Sequence, residues 1–249
     1  MVRLALIESE YEKEIFPTKE LINHLKENKI KTIALFASIQ FATLDKFTEE
    51  LEKEGLEIKI TKAKRTNKPL QVLGCDCYSD SFAESIINDS DIILYVGDGM
   101  FHPKALLLAQ IKTKIKPVLI FNPISESLEI ITEKDIEKQV QKMKRNLRMF
   151  LNSESIGILV TIKPGQQYFL SAKRLKEKLE SEGKKAYIFL DDSINLNNLE
   201  NYPFIQSWVN TACPRIGTDD IVNFTQPIIN LKEASNPITA LEDLENGKY

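Results

Sequence analysis

The three cysteines are the residues of this chain best suited to chemistry. Cys75 and Cys77 stand two residues apart in the run Leu73-Gly-Cys-Asp-Cys77, and Cys213 lies far along the chain, directly before a proline. Thiolates are soft ligands that favour iron–sulfur clusters, zinc or cuprous copper. The alternative is a buried, inert cysteine pair, because Cys-x-Cys alone is a weak metal motif. No loop carries an iron–sulfur spacing of its own, so a cluster would need cysteines that are distant in sequence.

A second chemically capable group is the run Tyr95-Val-Gly-Asp-Gly-Met-Phe-His102-Pro, which begins in a predicted buried strand. Pro103 suits the first turn of a helix. The turn Gly97-Asp98-Gly99 is therefore expected at a helix N-terminus, where backbone N–H groups receive anions. The alternative is a glycine-rich turn whose histidine, His102, caps or packs locally. The other histidine, His24, belongs to a polar amphipathic helix and is expected at the surface.

Two further polar groups lie in the second half of the chain. Lys163-Pro-Gly-Gln166 follows a predicted strand and offers donors to a polar ligand, and a solvated loop is the alternative. Arg215 follows Cys213 closely and can hold a carboxylate with two parallel hydrogen bonds. Asp219 and Asp220 come next and either act directly or form a helix cap or turn.

The elements that position these residues form a strand–helix–strand pattern that occurs twice. Each copy has an apolar run, an amphipathic helix that stops at Gly55 or Gly183, and a second apolar run. A charged helix with an apolar stripe is predicted at 133–152. The predicted strands share short apolar runs and cover 32–36, 56–60, 91–96, 118–121, 157–161 and 186–190.

This repetition predicts an α/β fold made of two similar small parallel-sheet domains. The first domain is expected over residues 1–125 with Cys75, and the second over residues 126–249 with Cys213. Each half is expected to place its cysteine after comparable elements. Ligands of open parallel sheets bind beyond the carboxyl ends of the strands, where glycines allow close approach of the backbone.

Composition excludes several classes of protein. The chain has 249 residues and a formal net charge of −3, which indicates no global attraction to nucleic acid or membranes. No apolar run reaches the length of a membrane-spanning helix. Three cysteines cannot form a complete set of disulfides, which favours a reducing cytoplasm. The sequence lacks a Walker motif, a Gly-x-Ser-x-Gly motif and a Gly-x-Gly-x-x-Gly after its first strand.

In this order, the motifs resemble those of the diphthamide synthesis enzymes, the Dph1/Dph2 family, and of its archaeal members in particular. The resemblance covers about residues 30–234, and the run Phe224-Thr-Gln-Pro-Ile228 with Glu233 is similar to the closing segment of that family. The motifs that carry it are Ser38-Ile-Gln-Phe41, Val72-Leu-Gly-Cys75, Tyr95-Val-Gly-Asp-Gly-Met-Phe-His102, Lys163-Pro-Gly-Gln166 and Val209-Asn-Thr-Ala-Cys-Pro-Arg215.

The resemblance implies a 2-(3-amino-3-carboxypropyl)histidine synthase of diphthamide biosynthesis. Such an enzyme binds a 4Fe–4S cluster and S-adenosyl-L-methionine, and transfers the 3-amino-3-carboxypropyl group by a radical mechanism to a histidine of elongation factor two. Cys75 and Cys213 would be the cluster ligands of the middle and last domains of the family. His102 and Arg215 would be catalytic. The residues implied around the cofactor are Gln40, Gly97, Asp98, Gly99, Gly165, Gln166 and Arg215.

The resemblance also predicts that the first domain of the family, with its own cysteine, is missing from this chain. The third cluster ligand would then be Cys77 or would come from a separate chain that supplies that domain. A homodimer is the other implied assembly, and no membrane or direct nucleic-acid partner is expected. The alternative function is a non-catalytic binding or support subunit of a diphthamide synthase complex. A third interpretation is an α/β enzyme that uses its nucleotide pocket for another reaction.

Overall fold

The computed structural model describes residues 10–163 and 165–247. The chain divides between Asp135 and Ile136 into two compact units, here called unit 1 and unit 2. This division lies ten residues beyond the predicted boundary at 125/126, because a short strand at Ser127–Ile131 pairs with the sheet of unit 1.

Unit 1 is built on a five-stranded sheet ordered β2-β1-β3-β4-β5. Strands β1 to β4 pair in parallel, as predicted, whereas β5 runs antiparallel to β4. A tight turn returns the chain there, because the Asn122 side-chain oxygen accepts a hydrogen bond from the Ile124 amide at 2.9 Å. The elements of unit 1 are α1 (Lys19–Glu27), β1 (Thr32–Ala37), α2 (Asp45–Lys53), β2 (Glu57–Ile60), β3 (Ile92–Val96), α3 (Phe101–Leu108), β4 (Val118–Asn122) and β5 (Ser127–Ile131).

Unit 2 is built on a four-stranded sheet ordered β7-β6-β8-β9, in which every pair of neighbours is parallel. The fold class predicted from the sequence, α/β with parallel sheets, is therefore confirmed. The elements of unit 2 are α4 (Glu137–Leu151), β6 (Ser155–Thr161), α5 (Phe169–Ser181), β7 (Lys185–Asp191), β8 (Ser207–Asn210), β9 (Ile228–Asn230), α6 (Leu231–Ser235) and α7 (Pro237–Asn246).

The first crossover of each unit follows the predicted pattern. Helices α2 and α5 bury one apolar face each, and the predicted stops Gly55 and Gly183 both adopt positive φ angles. Such angles are easy only for glycine, so these residues end the helices without strain. Helix α7 packs on α4 through the buried Leu244, and Arg148 of α4 donates to Glu245 at 2.6 Å. Within the described residues no helix has the length and apolar character needed to cross a bilayer.

The second crossover of each unit lacks an α-helix, and here the units differ. In unit 1, residues 61–91 connect β2 to β3 and carry Cys75 and Cys77; in unit 2, residues 192–206 connect β7 to β8 and carry no cysteine. Cys213 instead follows β8, the third strand of its unit. The expectation that both cysteines follow comparable elements is therefore wrong. The sequence around Gln71 resembles a strand. In the structure Gln71 forms an isolated parallel bridge with Ala37 and does not belong to a strand of the sheet.

Candidate functional site

The motifs of unit 1 meet at the carboxyl edge of its sheet. The Ala37 amide at the end of β1 donates to the Leu70 carbonyl at 2.8 Å, which draws the cysteine segment beside this strand. The Ser38 amide donates to the Val96 carbonyl at 3.1 Å, which joins the ends of β1 and β3. The exposed side chain of Gln40 follows β1 directly. This edge therefore collects Gln40, the cysteine segment and the turn after β3.

The loop that carries Cys75 is held by a charged pair. The carboxylate of Asp76 lies 3.7 Å from the guanidinium of Arg65. The Asp76 side chain is 1% exposed, whereas the Arg65 side chain is 42% exposed. Asp76 Oδ2 also accepts the Leu73 amide at 2.8 Å. Arg65 donates to the carbonyl of Cys75 at 3.1 Å. Burial raises the pKa of Asp76, and the Leu73 amide and Arg65 oppose that rise.

The neck of this loop is a short antiparallel pairing. The Lys64 amide donates to Ser81 at 2.8 Å, and the Ala83 amide donates to Lys62 at 2.9 Å. Within the loop the two cysteines differ in access, because Cys75 is partly exposed whereas Cys77 is 2% exposed. Cys75 is thus the thiol of this loop that a ligand can reach.

The Gly97-Asp98-Gly99 turn follows β3 and precedes α3, as predicted. Asp98 and Gly99 are exposed, and Gly99 has a φ of +66° with open space where a Cβ would lie. Gly97 is different, because an added Cβ would lie 2.6 Å from the hydroxyl of Tyr95. That hydroxyl lies 3.2 Å from Nδ1 of His102 in the first turn of α3.

In unit 2 the first motif forms a turn after β6. The Thr161 hydroxyl donates to the Asp192 carbonyl at 3.1 Å and accepts the Lys163 amide at 3.2 Å. Gly165 has a φ of +76° and is exposed, and Gln166 is partly exposed. Pro164, the remaining residue of this motif, lies outside the described residues.

The loop that carries Cys213 rests on two buried asparagines. Nδ2 of Asn210 donates to the Cys213 carbonyl at 2.8 Å and to Oδ1 of Asn230 at 2.7 Å. Asn230 in turn donates to the Pro214 carbonyl at 2.9 Å. Gly217 packs on this network, since an added Cβ would lie 2.3 Å from Oδ1 of Asn230. Cys213 itself is partly exposed.

Arg215 lies inside this loop and pairs with Asp219. Its side chain is 4% exposed, against 23% for Asp219, and its Nε donates to Oδ2 of Asp219 at 2.6 Å. The structure thus engages Arg215 with a carboxylate of the protein itself. Asp219 does not cap the short turn that follows it, whereas burial and the charge of Asp219 raise the pKa of Asp220.

Two of the cysteines are suited to hold a metal centre. Cys75 and Cys213 are thiols, each partly exposed at the carboxyl edge of the sheet of its own unit. Neither unit, in the part of the chain that the structure describes, groups three or more His, Cys, Asp or Glu side chains as a metal site. Among the described residues, each unit therefore offers one accessible thiol rather than a complete set of ligands.

Three residues that shape these loops are not predicted as site residues by the motifs. Arg65 and Asn230 lie far in sequence from the cysteines that they support, ten residues before Cys75 and seventeen after Cys213. No local pattern links them to those cysteines. Tyr95 belongs to the motif before His102, and its spacing of two residues from Gly97 puts both on the same face of the strand. That spacing is the sequence feature that could have indicated its role.

Comparisons with known proteins agree with these motifs. A family model described as "Putative diphthamide synthesis protein" matches residues 7–249. The chain is 31% identical over 228 residues to the 2-(3-amino-3-carboxypropyl)histidine synthase of Pyrococcus horikoshii, covering 91% of this chain and 63% of the relative. It is 28% identical over 237 residues to the 2-(3-amino-3-carboxypropyl)histidine synthase subunit 1 of Neurospora crassa, covering 93% of this chain and 50% of that protein.

A solved structure shows the same fold. The crystal structure of Dph2 from Pyrococcus horikoshii with a 4Fe–4S cluster matches with a TM-score of 0.67 and 28% identity, over 91% of this chain and 63% of that chain. The chain thus spans between half and two thirds of the length of these relatives. Since the family model matches nearly every residue, the chain belongs to the diphthamide synthesis protein family.

Proposed function

We propose that this chain acts in diphthamide biosynthesis as a 2-(3-amino-3-carboxypropyl)histidine synthase. It would transfer the 3-amino-3-carboxypropyl group of S-adenosyl-L-methionine to a histidine of elongation factor two. The observation that carries the proposal is the pair Cys75 and Cys213, one partly exposed thiol per unit at a carboxyl sheet edge. Relatives that are named as synthases, and a similar Dph2 structure that contains a 4Fe–4S cluster, support it.

The two thiols fit a 4Fe–4S cluster in ligand chemistry and access, because iron–sulfur clusters bind to cysteine thiolates. Cys77 fits less well, since its side chain is nearly fully buried. We therefore favour a third ligand from another chain, either a second copy or a different protein. When bound, the cluster would supply the electron that breaks the bond between sulfur and the aminocarboxypropyl group of S-adenosyl-L-methionine.

The residues of the chain itself would bind and orient the substrate. Backbone N–H groups at the start of α3 suit its carboxylate, and the exposed Asp98 suits its ammonium group or ribose. Gly165 and Gln166 present an open polar turn at the edge of the other sheet. The chemistry of Arg215 suits the substrate carboxylate, but its hydrogen bond to Asp219 favours a role in positioning the Cys213 loop.

Anaerobic reconstitution with iron and sulfide tests the proposal. The full chain is treated alone and with a candidate partner chain, and cluster content is followed by absorbance and electron paramagnetic resonance. Wild type is expected to hold a 4Fe–4S cluster in at least one condition. Cys75→Ala and Cys213→Ala are expected to lose it, whereas the matched control Cys77→Ala is expected to retain it.

The loaded protein is then assayed for transfer of labelled 3-amino-3-carboxypropyl groups from S-adenosyl-L-methionine to elongation factor two. Transfer that depends on Cys75 and Cys213 supports the synthase. A chain that holds no cluster in either condition overturns the catalytic proposal and leaves the role of a binding or support subunit. If Cys77→Ala also loses the cluster, the assignment of the third ligand to another chain is overturned.

A further inference from the structure

We propose that Tyr95 is a positioning residue that fixes the ring and the tautomer of His102, with the phenol donating to Nδ1 and the ring proton on Nε2. The contact between Tyr95 and His102 does not depend on the proposed function. The role of His102 toward a ligand rests on the proposed function.

The contact joins a fully buried tyrosine to a partly exposed histidine of unit 1. Tyr95 lies in the central strand β3 with no exposed side-chain surface. Its hydroxyl lies 3.2 Å from Nδ1 of His102, and the two rings are stacked with centroids 6.1 Å apart at 28°. The ring of Phe101 meets His102 from another direction, edge-on at 5.5 Å and 74°. The phenol of Tyr95 and the rings of Tyr95 and Phe101 thus contribute to the orientation of the imidazole.

Gly97 makes this arrangement possible. Tyr95 and Gly97 point to the same face of the strand, and the phenol extends over the glycine toward α3. A methyl group at 97 would lie 2.6 Å from the hydroxyl and 2.7 Å from Cζ, which no unstrained packing allows. The glycine of the turn therefore accommodates a side chain of the protein itself, whereas the sequence assigned it to a ligand.

The surroundings of Tyr95 keep its phenol protonated. Burial raises the pKa of Tyr95 well above its ordinary value, and the nearby carboxylate of Asp98 acts in the same direction, while Ser38 opposes it. A phenol O–H that donates to Nδ1 leaves the neutral imidazole with its proton on Nε2. The Nε2 nitrogen of His102 is then a hydrogen-bond donor and not a base. Under the proposed function, this tautomer suits a role in binding S-adenosyl-L-methionine rather than a proton-abstraction step.

Nuclear magnetic resonance of the two imidazoles tests this directly, because the chain has only two histidines. The ¹⁵N-labelled full chain is measured at a pH where both rings are neutral, and His24→Gln identifies the signals. Wild-type His102 is expected to show mainly the Nε2–H tautomer. Tyr95→Phe is expected to shift His102 toward a mixture of tautomers, while His24 in α1 stays unchanged as the internal control.

Gly97→Ala is the second variant, because it displaces the phenol without removing it. The same shift at His102 is expected, and backbone amide spectra verify that each variant is folded. An unchanged His102 tautomer in folded Tyr95→Phe overturns the inference, as does an Nδ1–H tautomer in wild type. In the transfer assay, Tyr95→Phe is expected to raise KM for S-adenosyl-L-methionine about tenfold, with a smaller change in kcat. Absence of any transfer would count against the proposed function and not against the tautomer result.

Discussion

The two cysteine loops differ most in which member of their charged pair is buried. In unit 1 the acid, Asp76, is enclosed and its partner Arg65 is 42% exposed; in unit 2 the base, Arg215, is enclosed and Asp219 is 23% exposed. The loops also come from different positions of the strand–helix–strand pattern. Units of similar topology therefore hold an accessible thiol at the same edge of a sheet with opposite arrangements of charge.

The loops also differ in what supports their backbone. In unit 1 the Asp76 carboxylate accepts a hydrogen bond from the Leu73 amide, Arg65 donates to the Cys75 carbonyl, and the glycine before Cys75 contacts the half-exposed ring of Phe101. In unit 2 two buried amide side chains bind each other and two carbonyls of the loop. The Cys75 loop thus depends on charged groups and the Cys213 loop on buried amides.

The largest contrast is expected from removing each arginine. Arg65→Met leaves the carboxylate of Asp76, which is 1% exposed, without its cation and should lower the free energy of unfolding of unit 1 by about 3–5 kcal/mol. Arg215→Met leaves Asp219, which is 23% exposed and partly hydrated, without its cation and should lower that of unit 2 by about 2 kcal/mol. Urea unfolding measures both, with the fluorescence of Trp208, the single tryptophan, reporting unit 2 and hydrogen exchange of β1 and β3 reporting unit 1. Equal losses would show that the exposure of the remaining carboxylate does not set the cost.

A smaller difference in the free energy of unfolding is expected between substitutions of the two glycines that pack inside the loops. In Gly217→Ala the new methyl group meets the buried Asn230, whose hydrogen bonds prevent it from moving, and a loss of about 2–3 kcal/mol is expected. In Gly74→Ala the methyl group meets Phe101, a ring at the surface that can rotate away, and about 1 kcal/mol or less is expected. Thermal unfolding of both variants provides the comparison, and a larger loss for Gly74→Ala would contradict it.

The smallest effects are expected from two carboxylates with opposite pKa shifts. Burial and Asp219 raise the pKa of Asp220, so its ionised form disfavours the fold, and Asp220→Asn should stabilise unit 2 above the raised pKa. This advantage should disappear as the pH falls below the ordinary value of 3.8. The amides of Thr32 and Lys31 lower the pKa of Asp91, so Asp91→Asn should destabilise unit 1 near neutral pH.

The pH dependence of the free energy of unfolding, measured between about pH 3 and pH 7, checks both directions. The stabilisation that Asp91 provides should be lost as the pH falls through its lowered folded-state pKa, so its variant and wild type converge at acid pH. Curves that shift in the same direction for both variants would refute the assigned causes.

Local patterns predicted the parts of the fold that depend on local interactions. Strands β1 and β6, helices α2 and α5, and the stops at Gly55 and Gly183 follow from apolar periodicity and backbone conformation. Strand β5 and helix α7 were missed, because β5 depends on pairing with β4 and α7 on packing against α4. The fold class was thus accessible from the sequence, whereas elements that depend on tertiary contacts were not.

The positions of the candidate site residues were predicted from the sequence, but the residues that support them were not. Cys75, Cys213 and the turn after β3 were expected at carboxyl sheet edges, and the structure places them there within their own units. The prediction that the two cysteines follow comparable elements is wrong. Sequence order alone does not show on which side of β1 the segment around Gln71 lies. The supports contributed by Arg65 and Asn230 are contacts between distant residues, which one sequence does not reveal.

The neck of the Cys75 loop has a consequence for how that loop moves. Residues 62–64 and 81–83 pair outside the main sheet, whereas the stretch around Gln71 inside the loop is bound to Ala37 of β1 by two backbone hydrogen bonds. The loop therefore has two separate attachments to unit 1. Opening of the neck alone leaves Cys75 tethered a few residues from the parallel sheet, and moving the thiol away requires breaking the bonds to β1 as well.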